Sequence, residues 1–111
     1  MDNLKNICLT YFKTFSNQDL DGLRKLLSED CYLRDWEVNS KGLDNVIKSN
    51  EQIFEAVESV EVRPSKMFQE DNTVACEIEV VINETDTLLV TDIITFDSEN
   101  KINSIRAYKG N

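Results

Sequence analysis

Three successive segments, residues 74–83, 88–96 and 102–109, have strand character, and the short polar turns Glu84-Thr85-Asp86 and Asp97-Ser98-Glu99-Asn100 separate them. Successive side chains of a strand point to opposite faces, so residues two apart share one face. Connections so short cannot carry a crossover, so neighbouring strands must run antiparallel as hairpins. In the middle segment Leu88, Val90, Ile94 and Phe96 share a face with Asp92, while Leu89, Thr91, Ile93 and Thr95 form the other. A further strand is predicted from Cys31 to Val38, with Cys31, Leu33 and Asp35 on one face and Tyr32, Arg34 and Trp36 on the other.

The first half of the chain has the helical period instead. Leu4, Ile7, Cys8, Tyr11, Phe12 and Phe15 form one stripe, so Tyr11 faces a core. Leu20, Leu23, Leu26 and Leu27 predict a short second helix capped by Asn17 or Asp19, and Gly22 inside it is expected to cost about 1 kcal/mol relative to alanine. The third helix is read from Leu43 to Val57 on the stripe Leu43, Val46, Ile47, Ile53, Phe54 and Val57, in which Asn50 is the polar member. Helices followed by antiparallel strands predict an α+β fold, with the helices against one face of the sheet.

At 111 residues the chain has the size of one domain, residues 1–111. Its formal net charge of −9, unbroken by any basic cluster, argues against nucleic acid and anionic membranes as partners. The apolar runs are too short to span a bilayer, and Met1-Asp2-Asn3-Leu4-Lys5 does not open a signal peptide. Cys8, Cys31 and Cys76, an odd number set in apolar patterns, are expected to be reduced buried thiols, and the location is expected to be cytoplasmic. With no histidine, no Cys-x-x-Cys and no glycine-rich phosphate loop, no metal and no cofactor is expected.

What remains for chemistry is carboxyl groups in greasy surroundings. Burial disfavours the ionised form, which makes such an acid either a proton carrier or a neutral hydrogen-bond donor. Asp35 and Asp92 both share a face with apolar neighbours, and Tyr11 adds a core-facing phenol. Each also has a plainer reading: a solvated strand end, an acid bonded to backbone or arginine, and a core tyrosine bonding a carbonyl.

From Tyr11 through Asp19-Leu20-Asp21-Gly22 to Asp30 and Asp35 the chain resembles the amino-terminal half of ketosteroid isomerase without a gap. Asp92, Phe96, Lys101, Ser104, Arg106, Ala107 and Gly110 resemble its closing strands. The resemblance implies a SnoaL-like member of the nuclear-transport-factor-2-like superfamily: a cone-shaped curved antiparallel sheet with three helices enclosing an apolar pocket for a small hydrophobic ligand. It also implies a homodimer through the convex sheet face, where Leu89 and Ile93 lie. By the same resemblance Asp35 takes the place of the base that moves a proton next to a carbonyl, and Tyr11 and Asp92 take the places of the two oxyanion donors.

Asn50, Trp36, Phe54 and Lys109 are the candidate substrate contacts. Trp36 stands where the family has a proline after the base, and Asn50 lies near the site of a supporting tyrosine. Lys109 stands where the family has a large aromatic residue; its ammonium either enters the pocket or snorkels to solvent. Competing readings are a non-catalytic binding module, with a ligand carboxylate near Lys109, and a polyketide-cyclase or epoxide-hydrolase relative.

Overall fold

The computed structural model describes residues 3–111; Met1 and Asp2, part of the amino-terminal stretch read above, lie outside the described residues. In chain order it comprises α1 (Leu4–Ser16), α2 (Leu20–Leu26), β1 (Leu27–Arg34), β2 (Asn39–Lys41), α3 (Leu43–Glu55), β3 (Val60–Glu70), β4 (Thr73–Ile82), β5 (Asp86–Phe96) and β6 (Ile102–Lys109). Six strands form one unclosed, curved sheet in the order β2-β1-β6-β5-β4-β3. The α+β expectation holds, and no helix among the described residues is long and apolar enough to cross a membrane.

The sheet is mixed, which corrects the antiparallel expectation: β1 lies parallel to β6, with Leu33 opposite Ile105 and Arg34 opposite Arg106. Short turns dictate antiparallel pairing only for strands adjacent in sequence, and most of the chain separates β1 from β6. The resemblance implied three amino-terminal helices, but β1 and β2 precede the third, in keeping with the strand read ahead of it from Cys31.

The alternation read on β5 appears directly. Val90, Asp92, Ile94 and Phe96 are buried, whereas Leu89 is 48% exposed on the opposite face. That buried face meets α1 residues Leu4, Cys8, Tyr11 and Phe12 in one core. The three cysteines are buried and unbridged, as their apolar patterns predicted.

Strand β3 went unread in the sequence. It is an edge strand carrying Pro64 and mostly exposed side chains, with a register shift between Pro64 and Lys66. An edge position with a bulge tolerates proline and blurs the period of two. One contact ties this strand to α1: the Ser16 hydroxyl donates to the Phe12 carbonyl at 2.8 Å and accepts from the Val62 amide at 2.9 Å.

Two glycines are there for reasons of their own. Gly42 opens α3 with φ of 88°, a region that favours glycine. At Gly22 the expectation that alanine would stabilise the helix is reversed. The Asp19 carboxylate caps α2 by accepting from the Gly22 amide at 3.0 Å, and a Cβ there would sit 2.5 Å from Asp19 Oδ2 and 2.8 Å from Thr14 Cγ2. Gly22→Ala should therefore lower the unfolding free energy in urea by about 1 kcal/mol, the usual worth of a cap; an increase would show that the cap yields without cost.

Candidate active site

The strand expected to run to Val38 stops at Arg34, because Asp35 turns the chain. Its Oδ1 accepts from the amides of Glu37 at 2.7 Å and Val38 at 2.6 Å, and its own amide donates to the Val38 carbonyl at 2.9 Å. The chain then folds back as β2, placing Ser40 opposite Leu33. This closure commits one carboxyl oxygen of Asp35, a half-buried residue, to the turn, and Oδ2 has no hydrogen-bond partner among the described residues.

Asp35 lines a cavity of about 410 Å³ together with Tyr11, Asn50 and Asp92, a volume within the range of small-molecule sites. Its walls are mostly apolar, from Phe12 and Phe15 on α1, Val60 and Val62 on β3, and Val80 and Leu88 on β4 and β5. The contribution of β3 could not be anticipated, since the strand itself was missed. Trp36 and Lys109 also line the cavity, at exposed positions. The Lys109 ammonium lies 5.5 Å from the centre of the Trp36 ring, a cation–π contact, so it stays at the rim. Phe54 lies behind the wall, 9% exposed and edge-on to Phe15 with ring centres 4.9 Å apart.

Inside the cavity three polar side chains are almost wholly buried: Tyr11 at 4% exposure, Asp92 at 7% and Asn50 at 1%. Neither the phenol of Tyr11 nor the carboxyl of Asp92 has a hydrogen-bond partner among the described residues. Burial pushes Asp92 up to about 7, helped by the charge of Asp35. Burial also raises the Tyr11 phenol, helped by the charge of Asp92, so it stays a neutral donor. Below about pH 7 the cavity thus holds an uncharged acid and an uncharged phenol beside Asp35.

Tyr11 comes from α1, Asp92 from β5 and Asp35 from the turn after β1, and folding brings all three to one hollow together with Asn50, Trp36 and Lys109. Among the described residues no group of three or more metal-binding side chains is gathered.

Comparison with known proteins adds the wider setting. The SnoaL-like domain family matches residues 9–105. Among curated proteins, none matches the sequence. Among solved structures, an NTF2-like protein of unknown function from Cytophaga hutchinsonii superposes with a TM-score of 0.83 at 15% identity, covering 99% of this chain and 92% of that one. A protein from Shewanella denitrificans, provisionally named a SnoaL-like polyketide cyclase, gives 0.85 at 15% identity over 96% of this chain and 90% of its own. One from Kribbella flavida, provisionally named a ketosteroid isomerase, gives 0.81 at 11% identity over 97% and 78%. At these identities the likeness is one of fold.

Proposed function

Because this chain belongs to the SnoaL-like domain family, a fold that hosts several chemistries, we propose from the site itself that it catalyses proton transfer alpha to a carbonyl on a small hydrophobic ketone. The observation that carries this reading is the meeting, in one apolar cavity, of two buried donor groups that have no partner among the described residues and of Asp35, whose turn bonds use one carboxyl oxygen alone.

In this reading the ketone oxygen lies between the Tyr11 phenol and the protonated Asp92. The free oxygen of Asp35 removes a proton from the carbon next to the carbonyl. The electron pair of that C–H bond becomes the enolate double bond, and negative charge moves to the oxygen. Tyr11 and Asp92 then hold an oxyanion more strongly than the starting ketone, which lowers the barrier. Asp35 returns its proton two carbons further on, at the far end of the dienolate, so the double bond moves into conjugation and no atom is gained or lost. The apolar walls exclude water, which keeps the hydrogen bonds strong and Asp92 neutral.

The test is to incubate the purified protein with β,γ-unsaturated ketones of one to four rings and follow the ultraviolet absorbance of the conjugated enone. Proton exchange at the alpha carbon is read in parallel by NMR in deuterated water. Enone formation or exchange well above the buffer rate is expected for at least one ketone; neither, across the whole series, would refute the reading.

A further inference from the structure

The mechanism just described uses Tyr11, Asp35 and Asp92 and leaves one buried polar group of the cavity without a task. Asn50 sits on α3 one turn before Phe54, on the buried stripe with Val46 and Ile47. It lines the cavity at 1% exposure, and neither its Oδ1 nor its Nδ2 has a hydrogen-bond partner among the described residues. Leaving an amide unsatisfied in this way costs free energy in the empty protein, and a leucine of similar size would remove that cost. Buried polar groups are ordinarily satisfied, so one that the protein leaves open at a cavity wall is a place for something else to bond.

We infer that Asn50 is a second recognition point of the cavity, and that the ligand carries, besides its carbonyl, a hydroxyl that both donates to Oδ1 and accepts from Nδ2. An asparagine carboxamide offers one acceptor and one donor side by side, and a hydroxyl answers both. Asn50 lines the cavity, and the soft terminal torsion of its amide lets the oxygen and the nitrogen exchange places toward a ligand. A ligand without the hydroxyl leaves the amide as unsatisfied as before and gains nothing there; this asymmetry makes such sites discriminating. The substrate class thereby narrows from small hydrophobic ketones to hydroxylated ones, a step that rests on the reading of the preceding section.

The experiment uses phenols as stand-ins for the enolate. Dissociation constants are measured at pH 6 for 2-naphthol and for the dihydroxynaphthalenes that add a second hydroxyl at each other ring position, with the native protein, Asn50→Leu and Tyr11→Phe. At least one dihydroxy isomer is expected to bind the native protein about tenfold more tightly than 2-naphthol, the worth of a well-made hydrogen bond. That gain should vanish in Asn50→Leu and survive in Tyr11→Phe, while 2-naphthol itself should weaken only in Tyr11→Phe. If every isomer binds the native protein within about twofold of 2-naphthol, as when a water alone answers the amide, or if the gain persists in Asn50→Leu, the inference is overturned while the oxyanion reading stands. If no naphthol binds, both fall together.

Discussion

Asp35→Asn is expected to reduce turnover of the unsaturated ketone about 10³-fold, within the range that general-base catalysis contributes, without disturbing the fold. The turn at the end of β1 hangs on Oδ1 of Asp35, which accepts from the Glu37 and Val38 amides. An asparagine keeps an oxygen in that place, so both bonds survive and only the basic oxygen is exchanged for an amide nitrogen. Alanine is a poorer probe, because it would release the turn along with the base. Steady-state kinetics paired with thermal melting separates the two effects. Native turnover in Asp35→Asn would remove Asp35 from the chemistry. Lost turnover with an equal loss of folded protein would show only that the turn matters.

The second large effect belongs to Asp92 and appears both in activity and in stability. An acid held up to about 7 donates to an oxyanion below that pH and loses its proton above it. kcat/KM should therefore fall about tenfold per pH unit on the alkaline side of 7. Asp92→Asn keeps a donor that does not titrate, so its profile should stay flat there. The linkage to stability has a definite sign. The folded-state value lies above the ordinary 3.8, so the stability held by the neutral carboxyl is complete below pH 4 and is lost as pH rises to 7. The difference is on the order of 4 kcal/mol if the whole shift is expressed. Asp92→Asn should thus match the native protein in urea at pH 4 and exceed it by an amount of that order at pH 8. An equal difference at both pH values would mean that water reaches the carboxyl and that it titrates alike in the folded and unfolded chain.

Much of this site could be read before any coordinates. Period-two alternation put Asp92 among Val90, Ile94 and Phe96, and the helical stripe turned Tyr11 inward; both residues are buried in the structure. Asp35 was placed on the face of Leu33, and both line the cavity, even though the chain leaves the strand before Asp35. Phe54, on the helical stripe, is buried edge-on against Phe15, and the cavity lining includes Phe15 but not Phe54. The edge strand β3 was illegible because exposed side chains on both faces leave no periodic signal.

Taken alone, the order of residues determined which side of each helix or strand would be buried, the hairpins of the last three strands and the inward aim of two acids and a phenol. Burial patterning is a local property, set by the geometry of one element at a time. Only the tertiary structure decided that β1 lies parallel to β6, that one oxygen of Asp35 is spent on a turn, that Lys109 rests on Trp36 at the rim and that the Asn50 amide finds no partner among the described residues. Each of these depends on groups far apart in the chain or on the few hydrogen bonds of one turn, and no periodicity of side chains encodes which atoms will meet.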